Sequence, residues 1–161
     1  MPRTARLDKL GILQHLMIRG IERRKIFRDN KDRENFIERL SVLLPKTKTR
    51  YYSWVLMPDH VHMLLTSGLS GISTLLRRLL TGYALSFNRR YKRHGQLFQN
   101  RYKSIICQED AYFQELVRYI HLNLLRAKIE KDFNGLDKYA YCGHSALMGK
   151  TKRKWQDVEY V

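Results

Sequence analysis

Residues 51–66 read YYSWVLMPDHVHMLLT, and this stretch predicts two strands joined by a tight turn. The runs 51–56 and 60–66 are rich in aromatic and aliphatic residues that favour strands. Met57, Pro58 and Asp59 separate the two runs. Proline cannot donate a hydrogen bond to a strand ladder, and here it lies outside both strand interiors. We therefore expect a β-hairpin at this position.

Apolar residues on either side of the hairpin recur at spacings that predict helices and further strands. The predicted order is a strand at 12–18, a helix carrying apolar residues 36–44 and ended by Pro45, the hairpin, a helix at 72–87, extended segments at 96–99 and 104–107, and a last helix from Glu109 to Ala127. This order predicts an α+β fold, with an antiparallel or mixed sheet and helices on one face. The chain has no repeat and no Pro/Ser/Gly-rich linker, so we expect one domain over residues 1–130 and a basic C-terminal extension of it over 131–161.

The composition is that of a globular and strongly basic protein. The 161 residues include 31 Lys and Arg against 15 Asp and Glu, a formal charge of +16, and 43% are hydrophobic. Such an excess of charge predicts a polyanionic partner, with nucleic acid as the first candidate and a membrane surface as the second. No apolar run reaches the roughly 18 residues of a spanning helix. We therefore expect a cytoplasmic protein without a signal peptide.

The positive charge is unevenly placed along the chain. Residues 60–108 contain eight Lys or Arg and no Asp or Glu, and aromatic residues lie between them. This composition is typical of surfaces that hold a phosphate backbone and stack bases. Tyr83 and Phe87 fall on an apolar helical stripe and are expected in the core, whereas the cluster at 89–93 has no neighbouring acid in the sequence and is expected to contact phosphates. The predicted DNA-binding residues are Arg3, Arg6, Arg77, Arg78, Arg89, Arg90, Lys92, Arg93, Arg101 and Lys103.

One pair of side chains in the hairpin could carry chemistry. His60 and His62 are two residues apart on a predicted strand, so both imidazoles project to one face and could share a metal ion with further ligands. The alternative is a hydrogen-bonded polar face. On the last helix, Tyr119 and Asn123 are four residues apart and lie on one flank. They could lie beside the histidines as a nucleophile and a ligand, or they could be an edge-of-core aromatic and an exposed amide.

Several segments in this order closely resemble the IS200-like transposases, the single-tyrosine enzymes with a His-x-His motif, and among them the REP-associated tyrosine transposases. The resemblance covers about residues 2–127, and 139–149 more weakly; its segments are Pro2-Arg3, LQHLMIRG (13–20), IF (26–27), MPDHVHML (57–64), GQLFQNRYK (95–103) and LVRYIHLN (116–123). It implies a ferredoxin-like αβ sandwich whose central antiparallel sheet carries the two histidines.

The activity that this resemblance implies is metal-dependent cleavage and rejoining of single-stranded DNA during transposition, at hairpin-associated sites. Tyr119 would be the nucleophile and would form a 5′-phosphotyrosine link. His60, His62 and Asn123 would bind Mg²⁺ or Mn²⁺. The partner would be single-stranded DNA with a hairpin or palindromic element, and the protein would be a monomer or a homodimer.

The sequence departs from the family pattern after the tyrosine. Leu124 follows Asn123 where family members commonly have proline, and Lys128 stands where glycine is usual. Leucine is a good helix former, so we expect the helix to run further here. Tyr112 is a competing nucleophile, and His15 and His121 are expected to make structural hydrogen bonds. The alternative functions are a domesticated, non-catalytic DNA-binding protein of the same fold and a basic RNA-binding protein.

Overall fold

A computed structural model describes residues 12–68, 71–99, 102–107, 113–126, 141–143 and 156. Its elements are β1 (Leu13–Arg19), a 3-10 turn (Ile21–Arg23), α1 (Asn30–Thr47), β2 (Arg50–Leu56), β3 (His60–Thr66), α2 (Ile72–Arg90), β4 (Lys103–Cys107), α3 (Phe113–His121) and α4 (Asn123–Arg126). No helix within these described ranges is both long and apolar enough to cross a membrane.

The four strands form one antiparallel sheet in the order β2-β3-β1-β4. The predicted hairpin is confirmed, because β2 and β3 are paired neighbours joined through Met57, Pro58 and Asp59. β1 pairs with β3 on its other side, placing Met17 opposite His62. The strand that carries the two histidines is therefore internal to the sheet, and the predicted α+β class is confirmed.

The first core lies between the sheet and the two long helices. Phe36 and Leu40 of α1 and Leu79 of α2 pack with Leu16 and Met63 of the sheet, and all five are fully or almost fully buried. α1 and α2 therefore share one face of the sheet. The prediction that the helices lie on one face holds for these two and is wrong for α3, which packs on the opposite face.

The second core lies on the opposite face, where α3 adds a layer. Val117 and Ile120 pack with Val55 of β2 and Leu64 of β3. Almost all residues of β2 are buried, so the strand is covered on both faces. This is typical of a strand with helices on both sides. A β-bulge between Tyr51 and Ser53 shifts the register of β2.

Two helix ends differ from the sequence predictions. The prediction that Pro45 ends α1 is wrong, since the helix continues to Thr47 and ends at Lys48 in the left-handed conformation. Proline in the last turn removes a single amide donor, which the end of a long helix tolerates. The expected continuation through Asn123 is also wrong: α3 ends at His121, Leu122 forms a turn, and Asn123 begins α4. Glu109 and Asp110, predicted to open that helix, lie outside the described residues.

Candidate active site

Five polar or sulfur-containing side chains share one face of the sheet, which we call the histidine face. His15, Met17 and Arg19 alternate along β1, and His60 and His62 alternate along β3. Directly opposed residues of paired strands project to the same face, and the register places Arg19 opposite His60 and Met17 opposite His62. This is the face on which α3 packs. The predicted same-face projection of the two histidines is what the strand geometry produces.

Both histidines of the pair have their Nδ1 atom engaged by a neighbour. His60 Nδ1 lies 2.6 Å from Asp59 Oδ1, and His62 Nδ1 lies 3.2 Å from His15 Nε2. The two rings are 5.0 Å apart between centroids and nearly perpendicular. Metal-binding histidines typically hold one ring nitrogen in such a bond and use the other as the ligand. The arrangement therefore leaves the two Nε2 atoms as the available ligands and fits a cation bound by the pair.

Burial keeps the centre of this cluster uncharged. The pKa of His62 is lowered to about 3, mainly because the ring is desolvated and further because His60, His15 and Arg19 are nearby. Burial also lowers the pKa of His15. Both rings are consequently neutral near pH 7, the state that a histidine must have to bind a metal ion. The bond between them then holds a single proton, carried by one of the two facing nitrogens.

Tyr119 stands over the histidine face from α3. Its neighbours Val117 and Ile120 are buried against the sheet, whereas Tyr119 is 42% exposed. Its ring centroid lies 6.3 Å from that of His15 and 6.4 Å from that of His62, with edge-on geometry in both cases. The structure thus brings together the histidine pair and the predicted nucleophile while leaving the phenol accessible. The competing candidate Tyr112 lies outside the described residues.

Asn123 is tied to the end of α3. Its Nδ2 donates to the backbone carbonyls of Tyr119 and Ile120, each at 3.1 Å. Since the amide nitrogen is committed to these carbonyls, the carboxamide oxygen is the atom with which Asn123 could bind a cation. Across the described part of the chain, no group of three or more His, Cys, Asp or Glu side chains is placed to hold a metal ion. The predicted ligand set contains only two such side chains, His60 and His62, and its third member is the amide of Asn123.

His121 makes a structural hydrogen bond, as expected of it. The ring is 2% exposed, and its Nε2 accepts from the backbone N–H of Trp54 at 3.4 Å. His15 also makes a hydrogen bond, but its partner is His62 of the histidine pair. The bond between His15 and His62 joins residues 47 positions apart. The sequence carries no local signal for this bond beyond the alternation of residues along each of the two strands.

The basic residues fall into three groups. Lys103 is exposed on β4 opposite Met17, so it projects to the histidine face. Those of α2 and the residues after it, which include the exposed Arg77, Arg78, Arg89 and Lys92, belong to the layer across the sheet. Arg3, Arg6 and Arg101 lie outside the described residues. The basic residues of α2 follow the histidines in the chain, but they lie on the other side of the sheet from the histidine face.

The cluster at 89–93 has no neighbouring acid in the sequence, but in the structure Arg90 is paired with two acids. Its guanidinium bonds to the carboxylates of Asp29 and Asp32, and the Tyr91 hydroxyl donates to Asp32 at 2.6 Å. These acids lie about sixty positions earlier, at the start of α1. They meet the cluster because the start of α1 packs beside the end of α2. Tyr83 and Phe87 are buried, as predicted.

Sequence reasoning missed Asp59 and Arg19. Asp59 orients His60 from the turn of the hairpin, and Arg19 is the last residue of β1, directly opposite His60. The alternation of Arg19 with Met17 and His15 was the available signal, but it gains meaning only once β1 is known to pair with β3.

Comparison with one solved structure supports the fold. A REP-associated tyrosine transposase, solved bound to a REP hairpin, is similar over 98% of both chains, with a TM-score of 0.74 at 14% identity. A crystal structure from Deinococcus radiodurans R1, whose description also names a transposase, covers 74% of this chain and 95% of its own, with a TM-score of 0.49 at 17% identity.

The family assignment comes from the sequence comparison. No curated protein matches the chain significantly. A family model described as "Transposase IS200 like" matches residues 9–123, which include the histidine pair, Tyr119 and Asn123. The match spans well over half of the 161 residues, and the chain therefore belongs to the IS200-like transposase family.

Proposed function

We propose that this transposase is a metal-dependent endonuclease and strand transferase for single-stranded DNA, with Tyr119 as its nucleophile. The observation that carries the proposal is the placement of an exposed phenol beside His62, which pairs on its strand with His60, each with its Nδ1 atom engaged by a neighbour. His60, His62 and Asn123 would hold Mg²⁺ or Mn²⁺, and imidazole ligands suit Mn²⁺ at least as well as Mg²⁺. A bound divalent cation supplies polarisation of the phosphoryl group and stabilisation of the leaving oxygen.

The reaction exchanges one phosphoester bond for another. Tyr119 Oη attacks the scissile phosphorus and loses its proton to solvent, the bond from phosphorus to the 3′-oxygen breaks, and that oxygen takes up a proton. The products are a 5′-phosphotyrosine and a free 3′-hydroxyl. Because the new ester is still a phosphodiester, a second 3′-hydroxyl can attack it, release Tyr119 and rejoin DNA without an external energy source.

The substrate is single-stranded DNA with a hairpin or palindromic element. Family membership supports a DNA partner, and the structurally similar REP-associated transposase was solved bound to a REP hairpin. We place the strand's reactive phosphate on the histidine face, where Lys103 is exposed. The predicted basic residues of α2 and of the segments 1–11 and 100–101 would contact more distant phosphates.

The test is formation of a covalent adduct with a hairpin oligonucleotide carrying a single-stranded flank, in the presence of Mn²⁺. The wild-type protein should give a protein–DNA band that survives denaturation, and Tyr119→Phe should give none. Tyr102→Phe is the matched control, because it removes one phenol hydroxyl on the other side of the sheet, where Tyr102 lies 3.3 Å from Ser73 Oγ. An undiminished adduct in Tyr119→Phe refutes the nucleophile.

The adduct assay, together with a DNA-binding measurement, distinguishes the proposed enzyme from the alternative, a non-catalytic DNA-binding protein. Salt-sensitive binding that is unaffected by a chelator, together with no adduct from the wild-type protein under any divalent metal, would identify that alternative.

A further inference from the structure

Arg19 is the charged residue nearest to the histidine pair by strand register. It ends β1 directly opposite His60 and projects to the histidine face. It is half-buried, and its Nη2 lies 4.0 Å from the sulfur of Met17. Nearby Asp59 is already bonded to His60 Nδ1 at 2.6 Å. The positive charge of Arg19 therefore lies at the edge of the site, and the nearby carboxylate of Asp59 is already bonded to His60.

The Arg19 guanidinium is incompletely satisfied. Its Nε is buried and has no hydrogen-bond partner among the described residues. A buried donor without an acceptor is destabilising, so this arrangement favours a ligand that supplies an acceptor. Arg33 Nε is also unpaired, but Arg33 bonds to Asn30 on α1, away from this face.

The chemistry of the surroundings favours an anionic ligand. Lys103 projects to the same face from β4, on the far side of Met17. The positive charge of Arg19 is one of the influences that keep His62 neutral. Guanidinium groups bind phosphate oxygens through two parallel N–H bonds, and Nε with one Nη is a pair suited to this. A phosphodiester brought to Tyr119 would present such oxygens.

We propose that Arg19 is a catalytic residue that donates hydrogen bonds to the non-bridging oxygens of the scissile phosphate. It holds the phosphorus in line with Tyr119 Oη and stabilises the charge that builds on those oxygens as the tyrosyl ester forms. Arg19 acts only as a hydrogen-bond donor, so it changes neither the bonds formed and broken nor the path of the proton. This inference rests on the proposed function.

The primary experiment measures single-turnover adduct formation by Arg19→Gln and Arg19→Lys with the same hairpin oligonucleotide. Removal of one such donor group typically slows the chemical step by about 10²–10³-fold, and we expect this loss for Arg19→Gln. Arg19→Lys keeps the charge without the planar fork, so its loss should be smaller. Mn²⁺ affinity, measured by calorimetry without DNA, should stay within about threefold of wild type. The matched control is Arg39→Gln on α1, which lies across the sheet and is not among the predicted DNA-binding residues, and it should react at nearly the wild-type rate.

A neutral scissile linkage separates a direct contact from a structural role. With a methylphosphonate at the cleavage site, the ratio of wild-type to Arg19→Gln rates should fall to less than about tenfold, because the charge that Arg19 stabilises is missing. A purely structural role would slow both substrates equally, and that result overturns the inference. If neither protein reacts with the methylphosphonate, the rates with the phosphate substrate are the test. A rate for Arg19→Gln that is less than about tenfold below wild type then overturns the inference.

The remaining outcomes distinguish a direct contact from a metal-site effect, from unfolding and from failure of the proposed function. A loss of Mn²⁺ affinity in parallel with the rate would show that Arg19 acts through the metal site, and this also overturns a direct contact. If Arg19→Gln melts well below the wild-type temperature, Arg19→Lys carries the same comparisons. A wild-type protein that forms no adduct, or a Tyr119→Phe variant that still does, refutes the proposed function instead.

Discussion

The bond between His15 and His62 leads to a quantitative prediction about metal affinity. His15 Nε2 lies 3.2 Å from His62 Nδ1, and both rings are neutral near pH 7 because burial lowers both pKa values. His15→Phe keeps a flat ring of similar size but removes the partner of Nδ1. His62 then loses the bond that fixes its tautomer and its ring orientation, in which Nε2 would be available to the proposed metal ion. Loss of such a supporting partner typically weakens metal affinity by about 10–100-fold, or about 1.4–2.7 kcal/mol.

The assay is titration of the DNA-free protein with Mn²⁺, followed by calorimetry or by the electron paramagnetic resonance signal of the free ion. His15→Gln is the conservative comparison, because its amide can still donate to or accept from His62 and should recover part of the affinity. His94→Gln is the matched control, an exposed histidine that follows α2. Wild-type Mn²⁺ affinity in His15→Phe, in a protein that melts at the wild-type temperature, refutes the reasoning.

Three other predictions concern stability. Gly143→Ala should lower the free energy of unfolding by about 1–3 kcal/mol in chemical denaturation, since a Cβ there would lie 2.8 Å from buried His121 Nε2; an unchanged value would show that the ring can move aside. Tyr83→Phe should lower the free energy of unfolding by about 1–3 kcal/mol in the same assay, because the buried hydroxyl donates to the backbone carbonyl of Ile26. A change near zero would mean that this carbonyl finds another donor. Hydrogen bonds from Arg90 lower the pKa of Asp29 from 3.8 to about 2. The ionised carboxylate therefore stabilises the fold fully above pH 4, and this contribution is lost as the pH falls towards 2. Asp29→Asn should make the melting temperature less dependent on pH in that window, and an identical pH profile contradicts this account.

Local patterns predicted the elements that position the site. The hairpin at 51–66 was predictable because a proline-containing turn separates two apolar runs. β1 was predictable because it is a short apolar run, and α2 because its apolar residues keep the helical period over the whole element. The projection of His60 and His62 to one face follows from strand geometry alone.

The contacts that complete the site were not predictable, because they join distant parts of the chain. The His15–His62 bond depends on the register of β1 against β3. The ion pairs of Arg90 depend on the packing of α1 beside α2. The position of α3 on the second face depends on β2 being buried on both faces. The alternation of one strand does not reveal which helix covers which face. The break after His121 reflects hydrogen bonding by Asn123 at the end of α3, which outweighs the helix propensity of Leu124.

The most direct test of the account is identification of the residue that carries DNA after reaction. The wild-type protein is incubated with the hairpin oligonucleotide and Mn²⁺, the adduct is digested with nuclease and protease, and the modified peptide is sequenced by mass spectrometry. The account predicts a 5′-phosphonucleotide on Tyr119. Attachment to Tyr112, or to any residue other than Tyr119, would contradict it.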